Sequence, residues 1–191
     1  MKTLSGVNLY VALIHYPVVN KHGETVASAV TNLDLHDIAR ATCTFGVRAL
    51  HVITPLADQR ELAEKIVRHW TSGPGGERNP KRREALERIR VTASLDDTRS
   101  LIAEAHGRPP LVVATCARRY PEACGFGDLA GRLENGTPHL VLFGTAWGLA
   151  PELIAASDAV LEPIGGCGDY NHLSVRCAAA IVMDRLMMRR H

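Results

Sequence analysis

The fold is decided by HLVLFGTAWGL at residues 139–149, AVLEPIGGCGDYN at 159–171 and HLSVRCAAAIVMDRL at 172–186. The apolar runs Leu140–Phe143 and Ala159–Ile164 are too short for helices and are typical of buried strands. Each run ends in a glycine loop, and glycine lets the backbone come close to a ligand. If the two strands are adjacent, their loops form a small-molecule crevice at the carboxyl ends of a parallel sheet. The loop glycines are Gly144, Gly148, Gly165, Gly166 and Gly168.

The rest of the chain alternates between short apolar runs and helical patterns. This alternation predicts an α/β fold, in which helices cover both faces of a parallel sheet. No linker or repeat interrupts it, so we expect a single domain over residues 1–191. Strands are expected at Leu9–Ile14, Ala49–Ile53, Val91–Ala93 and Leu111–Thr115. Helices are expected at about 33–44, 58–70, 81–89, 95–105 and 173–188, and a further short helix is expected to end at Glu134.

Local signals place the ends of these elements. Asn32 or Asp34 is a candidate N-cap of the first helix, and Gly46 is a candidate stop signal. A serine precedes the helix at 95–105 and is expected to cap it. The stretch TSGPGGERNP at 71–80 is rich in helix breakers and is predicted to be a mobile loop.

The composition is that of an ordinary globular protein. Of the 191 residues, 46% are apolar and 22% are charged. No segment approaches the roughly 18 apolar residues of a membrane span, and the N-terminus lacks a cleavable signal pattern. The five cysteines are odd in number and scattered, which favours free thiols in a reducing compartment. We expect no metal site, because histidines and cysteines do not occur at ligand spacing.

Basic residues are clustered although the net charge is only +2. Phosphate binding needs local positive charge, so the clusters are candidate nucleic-acid contacts. The alternative is that the first cluster forms solvated helix faces, balanced by Glu77, Glu84 and Glu87. The clusters are Arg78, Lys81, Arg82, Arg83, Arg88 and Arg90; Arg118 and Arg119; and Arg185, Arg189 and Arg190.

Four segments, taken in order, resemble the motifs of the SPOUT superfamily of RNA methyltransferases. The segments are TNLDLHDIARATCTFGV at 31–47, FGTAWGL at 143–149, LEPIGG at 161–166 and YNHLSVRCAAAI at 170–181. VALIHYPV at 11–18, VITPL at 52–56 and HW at 69–70 are similar to a small single-domain bacterial branch. That branch contains S-adenosylmethionine-dependent RNA methyltransferases and is related to the tRNA (guanine-N1)-methyltransferase-like group. The resemblance covers about residues 7–188.

The resemblance implies a C-terminal trefoil knot (the α/β-knot), with the last helix threaded through an earlier loop and S-adenosyl-L-methionine bound between the knot's loops. It further implies a homodimer whose catalytic site is often completed across the interface. The expected substrate is tRNA or rRNA in the cytoplasm, with no DNA and no membrane partner. The alternative is a SPOUT-fold protein that binds RNA or S-adenosylmethionine without catalysis.

The resemblance also assigns site residues. Arg40 matches the arginine that orients or activates RNA, and the alternative is a surface arginine paired with Asp37. Arg176 is expected to meet phosphate or to pair with Asp169. Core packing alone is an equal alternative for the apolar members of the cofactor set. The cofactor set is Thr115, which ends the strand forming the pocket floor, with Gly144, Leu161, Ile164, Gly165 and Leu173. The substrate set is Asn32, which is also a candidate cap, with Asn171, His172, Ser174, Arg82 and Arg83.

Overall fold

A six-stranded parallel sheet organises the chain in the computed structural model, which describes residues 7–168 and 170–187. Its strand order is β5-β4-β1-β7-β6-β8, and a separate antiparallel hairpin pairs β2 with β3. The strands are β1 (Leu9–Ile14), β2 (Val18–Val19), β3 (Thr25–Val26), β4 (Leu50–Ile53), β5 (Ile89–Thr92), β6 (Leu111–Thr115), β7 (His139–Gly144) and β8 (Ala159–Leu161). The helices are α1 (Asn32–Thr44), α2 (Ala57–Thr71), α3 (Pro74–Arg78), α4 (Pro80–Leu86), α5 (Leu95–His106), α6 (Phe126–Leu133), α7 (Pro151–Ala155) and α8 (Val175–Met187).

The central strands β1 and β7 are almost continuously apolar because the sheet is covered on both faces. The side chains of β1 alternate between two apolar clusters: Leu13 lies in the first, and Ala12 and Ile14 lie in the second. The first cluster takes its helical members from α1, α2, α4, α6 and α8. The second is covered by α5 and α7. The predicted α/β fold with helices on both faces is confirmed.

The expected adjacency of the two glycine-loop strands is wrong, because β6 lies between β7 and β8. The short helix α7 packs against β6 and carries the chain past it. The last strand is also shorter than the predicted Ala159–Ile164. The Glu162 N–H bonds to the carbonyl of Cys124 instead of β6, and Pro163 has no N–H to offer a sheet ladder.

Thr31, rather than Asn32 or Asp34, caps helix α1. Its backbone is extended and its hydroxyl accepts a hydrogen bond from the Asp34 N–H at 3.3 Å. Asn32 is the first helical residue, so the capping role expected for it is wrong. Gly46 adopts φ +70° just after the C-cap, as its predicted stop role requires.

The segment 71–80 is not the predicted loop, because it contains helix α3. Gly75 and Gly76 are buried against the end of α2. A Cβ atom on Gly76 would collide with the carbonyl oxygen of Trp70, and one on Gly75 would lie 2.9 Å from the Trp70 ring. These glycines therefore permit close packing of α3 on α2. In a sequence, glycines that serve close packing cannot be distinguished from glycines that make a loop flexible.

Helix α8 packs between α1 and α6 and buries Ala179, Val182, Met183 and Leu186. It begins at Val175, so the expectation that it starts at Leu173 is wrong. The Ser174 hydroxyl accepts from the Cys177 N–H at 3.3 Å, which stabilises the first turn. The predicted end at residue 188 lies outside the described residues. Among those described, no helix is both long and apolar enough to cross a bilayer, and all five cysteines are free thiols.

Candidate functional site

A cleft of about 720 Å³ opens at the carboxyl ends of β6, β7 and β8. Its walls come from the segments that follow these strands, from the β2–β3 hairpin and from the start of α8. Because β6 lies in the middle of these three strands, its end separates the two glycine loops. The wall segments are 115–118, 143–149, 161–164 and 171–176.

Five of the six predicted cofactor residues line this cleft: Thr115, Gly144, Leu161, Ile164 and Leu173. The sixth, Gly165, follows the lining residue Ile164 and is exposed, with open space around the position of a Cβ atom. Leu161 is 1% exposed and belongs to the first apolar cluster, so it is both a core and a lining residue. Leu173 is 45% exposed, which is too much for a core residue.

The hydroxyl of Thr115 donates to the carbonyl oxygen of Leu142 at 2.8 Å. This bond joins the ends of β6 and β7 across the floor of the cleft. The oxygen of Thr115 keeps acceptor capacity for a ligand, but its proton is already used.

The loop after β7 folds back on its own strand. A Cβ atom on Gly144 would collide with the backbone nitrogen of Leu149 and lie 2.7 Å from the carbonyl carbon of Gly148. Gly148 adopts φ +109°, which strongly favours glycine. Position 144 therefore requires glycine because the loop backbone occupies the space of a side chain, whether or not a ligand also approaches it.

A buried chain of hydrogen bonds fixes two polar residues of the cleft wall, Ser28 and Thr145. The Thr145 hydroxyl donates to the carbonyl of Ile14 at 2.9 Å, so it accepts from the Ser28 hydroxyl 2.5 Å away. Ser28 in turn accepts from Nδ1 of His15 at 2.9 Å, which leaves Nε2 of His15 as a buried acceptor without a partner. Burial lowers the pKa of His15 to about 4, against the smaller raising effect of Asp34. His15 is therefore neutral at pH 7.

An ion pair joins α1 to α8 at the cleft. Nη1 of Arg176 bonds to Oδ1 of Asp34 at 2.7 Å, and the Thr31 hydroxyl donates to Oδ2 at 2.6 Å. Nε of Arg176 also lies 3.4 Å from a carboxylate oxygen of Asp37. Asp37 therefore pairs with Arg176, and the alternative that it pairs with Arg40 is wrong. The other expected partner, Asp169, lies outside the described residues.

The predicted substrate residues fall into two groups. Asn171, His172 and Ser174 line the cleft, and the Asn171 amide donates to the carbonyl of Ala117 at 3.0 Å. The others lie outside it. Asn32 is exposed on α1, as is Arg40, the predicted catalytic residue expected to orient or activate RNA. On α4, the Arg82 guanidinium stacks 4.7 Å from the centre of the Trp70 ring, and Arg83 pairs with Glu87 at 2.8 Å.

Sequence reasoning missed several residues of the cleft. Asp34, Trp147 and the β2–β3 hairpin line the cleft, and Tyr170 lies beside the lining residue His172, but none of them is among the predicted site residues. Trp147 is 66% exposed and Tyr170 is 81% exposed. The sequence signal for Trp147 was its position in the loop between Gly144 and Gly148. A bulky aromatic side chain in a tight turn is often exposed, because it is far from the hydrophobic core.

Two sequence relatives cover most of this chain. A protein of Oleidesulfovibrio alaskensis named tRNA (guanine-N(1)-)-methyltransferase is 47% identical over 182 residues, which are 95% of this chain. This chain spans only 42% of that relative's length. A protein of Aquifex aeolicus is 38% identical over 183 residues, which cover 95% of this chain and 89% of the Aquifex protein.

Solved structures of methyltransferases share the fold at low sequence identity. A probable methyltransferase from Bordetella pertussis superposes with a TM-score of 0.61 at 18% identity, covering 97% of both chains. The SpoU methyltransferase AviRb from Streptomyces viridochromogenes, in complex with AdoMet, gives a TM-score of 0.55 at 18% identity over 95% of this chain and 57% of its own. The model of the SAM-dependent RNA methyltransferase family matches residues 8–188. The chain belongs to the family of S-adenosylmethionine-dependent RNA methyltransferases.

Proposed function

We propose that this chain transfers a methyl group from S-adenosylmethionine to a nucleotide of structured RNA. The observation that carries the proposal is the cleft of about 720 Å³ at the carboxyl ends of β6, β7 and β8, lined by five of the six residues expected to hold the cofactor. We favour tRNA over rRNA, because the relative with 47% identity is named for tRNA. That name belongs to a longer protein, so the substrate is the part of the proposal most in need of a test.

The lining fits the cofactor in size and in chemistry. Pockets for small ligands have volumes of about 300–1,000 Å³ and are mainly apolar with a few polar groups. Leu161 and Ile164 offer an apolar slot for an adenine ring, and Thr115 and Thr145 add polar groups to the lining. The bound cofactor supplies an electrophilic methyl group on a sulfonium. The chain's task is then to hold donor and acceptor in line, which can account for much of the rate.

The acceptor side of the cleft is formed by Asn171, His172 and Ser174 with the Asp34–Arg176 pair. The guanidinium carries positive charge to the place where a phosphate or base edge would enter. The partly buried carboxylate of Asp34 can accept a hydrogen bond from an N–H or O–H of the acceptor. Both groups are held in place by the pairing of α1 with α8, so they are oriented before RNA binds.

We also propose one domain, a C-terminal trefoil knot and a cytoplasmic homodimer. The knot is supported by two contacts of the C-terminal segment: Asn171 bonds to Ala117 in the loop after β6, and α8 packs against both α1 and α6. The homodimer is supported by the position of Arg40, which lies outside the cleft of its own chain. In a dimer this arginine would reach the cleft of the partner.

The cofactor site is tested by truncating one lining residue. Ile164→Ala removes three carbons from the slot and should weaken S-adenosylmethionine binding by up to about 60-fold, at about 0.8 kcal/mol per methylene. Leu153→Ala is the matched control, because Leu153 is half-buried against the second cluster and lies outside the cleft. Calorimetry should give normal affinity for the control. Equal affinities for both variants would place the cofactor elsewhere.

The reaction is tested with radiolabelled S-adenosylmethionine and separate tRNA and rRNA fractions, from cells that lack the gene. Label should enter tRNA, and mass spectrometry of its nucleosides then identifies the acceptor atom. Label in rRNA alone would contradict the choice of tRNA. Cofactor binding without transfer to either fraction would contradict the catalytic proposal and support the binding-only alternative.

A further inference from the structure

Three ring side chains stand together at the mouth of the cleft, and the function proposed above does not use two of them. The ring centre of His172 lies 6.4 Å from that of Trp147 and 6.4 Å from that of Tyr170. His172 is exposed like the other two, so all three side chains are accessible to solvent. We call Trp147, Tyr170 and His172 the aromatic mouth.

The aromatic mouth continues directly into the cleft. Trp147 and His172 themselves line it, and the neighbouring residue Asn171 is anchored to the carbonyl of Ala117 in the wall segment 115–118. The backbone of Trp147 is also fixed, because its N–H bonds to the carbonyl of Val19 in the β2–β3 hairpin at 3.0 Å. Hydrogen bonds therefore fix the backbone that carries Trp147 and His172, next to the cleft in which the methyl group would be transferred.

An exposed arginine lies among the residues that line the same cleft. Arg118 is exposed on the wall segment 115–118, whereas Arg176, which also lines the cleft, is paired with Asp34 and Asp37. The second carboxylate of the described lining, that of Glu162, accepts from the Phe126 N–H at 2.8 Å. Both carboxylates of the described lining are thus engaged by protein donors, and Arg118 is the exposed cation beside them.

We propose that the aromatic mouth is a stacking platform for one unpaired nucleobase of the RNA. The inference rests on the proposed function and extends it, because it specifies that the enzyme acts on a nucleotide in a loop, bulge or single strand. Sequence-tolerant binding of unpaired bases combines aromatic faces with nearby positive charge, which is the combination found here. A base inside a duplex has its faces covered by neighbours and cannot use the platform. A second copy of this chain is the rival occupant, but the exposed Arg118 and the continuity of the rings with the proposed RNA-binding cleft favour an anionic partner.

The test uses the fluorescence of Trp147. The sequence has two tryptophans, so Trp70→Phe leaves Trp147 as the sole reporter. A single-stranded RNA of about 12 nucleotides, within the usual site size of such surfaces, should quench this fluorescence. The same sequence in a duplex should bind at least about tenfold more weakly, because stacking on an aromatic side chain contributes roughly this factor or more per base.

Substitutions separate the platform from its rivals. Trp147→Ala and Tyr170→Ala should each weaken single-strand affinity about tenfold, and Trp147→Phe should restore most of it. Leu101→Ala, which truncates an exposed apolar residue on α5 far from the cleft, should leave it unchanged.

Unchanged affinity in Trp147→Ala, or equal affinity for single strand and duplex, would overturn the proposal. Conversion of a dimer to a monomer by Trp147→Ala in sedimentation would also overturn it and assign the mouth to a second copy. The quenching assay needs no cofactor, so a failure of methyl transfer would count against the proposed function and not against the platform.

Discussion

Arg40 and Asp34 lie on the same helix, α1, yet only Asp34 lines the cleft. Asp34 is 6% exposed and bonded to Arg176, whereas Arg40 points to solvent. A motif places a residue on a helix, but the side of the helix that meets substrate depends on packing with the rest of the fold. The proposed role of Arg40 is consistent with this geometry only if it serves the cleft of a partner copy.

Mixing two defective variants tests this role. Arg40→Lys keeps the charge but loses the planar fork, so we expect RNA binding within a few fold and a loss of turnover on the order of 100-fold. A cleft variant, Arg176→Ala, should also be inactive. If Arg40 acts across the interface, mixed dimers regain one intact site, and an equal mixture should recover about a quarter of wild-type activity. Single-turnover methylation measures it, and an inactive mixture would place both residues in one site.

His51 gives a prediction about acid stability. Both of its ring nitrogens are buried without hydrogen-bond partners. Burial, followed by the nearby Arg90 guanidinium, lowers the pKa of His51 to about 4 from 6.5. Between these two pH values the unfolded state therefore binds more protons than the folded state. The contribution of neutral His51 to the free energy of unfolding is complete above about pH 6.5 and falls as the pH drops toward 4, by up to about 3 kcal/mol.

We expect His51→Leu to stabilise the protein at pH 5 relative to the wild type and to flatten this part of the pH dependence. The remaining slope should come mainly from His15, whose pKa burial also lowers to about 4. Urea unfolding at pH 7.5 and pH 5 measures the effect, with His22→Leu as the exposed control. A pH dependence unaltered by His51→Leu would show that the imidazole is hydrated in the folded state.

At the scale of elements, helix α3 shows that glycine-rich sequence can be tightly packed. Gly76→Ala should destabilise the protein by about 1–3 kcal/mol, because the added methyl group collides with the carbonyl oxygen of Trp70. Gly131→Ala is the matched control: it lies in α6 with open space at the Cβ position and should stabilise by about 0.5–1 kcal/mol. Chemical denaturation compares the two. Equal effects would return the 71–80 segment to a loosely held loop.

Most helices and strands were predictable from the sequence, whereas the order of the strands in the sheet was not. The strands at 9–14 and 111–115 have the predicted bounds, and Gly46 and Ser94 end or cap helices as expected. These features depend on local periodicity and on single-residue chemistry. The insertion of β6 between β7 and β8 depends on a long-range pairing that no local pattern encodes. The cofactor residues were predictable from the resemblance to the SPOUT motifs, whereas the exposure of Trp147 and Tyr170 is evident only in the folded structure.

At the scale of the whole molecule, the basic residues of α4 and β5 mostly have protein partners. Arg82 stacks on Trp70, Arg83 pairs with Glu87, and Arg90 donates to the carbonyls of Glu87 and Ile89. Pairing of this kind supports the alternative that these are solvated faces. An exposed ion pair contributes little, however, so a phosphate can displace it.

Salt dependence decides between these alternatives. If Arg83 and Arg90 bind phosphate, replacing both with Gln should flatten the log–log salt slope of RNA affinity by about one unit for each lost contact. The matched control replaces Arg99 and Arg108 with Gln, which removes the same charge from α5 and the residues after it. Cofactor affinity should not change in either variant. Equal slopes in the two double variants would show that Arg83 and Arg90 do not bind RNA phosphates and serve only as solvated surface charges.

The sheet keeps two apolar clusters apart, and the cleft is a place where they meet. Leu149 of the second cluster lines it together with Phe143 and Leu161 of the first. A molecule bound there contacts both layers at once, so its binding energy opposes the opening of either. By linkage, S-adenosylhomocysteine at about 100 times its dissociation constant should add about 2.7 kcal/mol to the free energy of unfolding. We expect calorimetry to show both layers melting in one sharper transition, because a ligand in the cleft stabilises the two apolar clusters together.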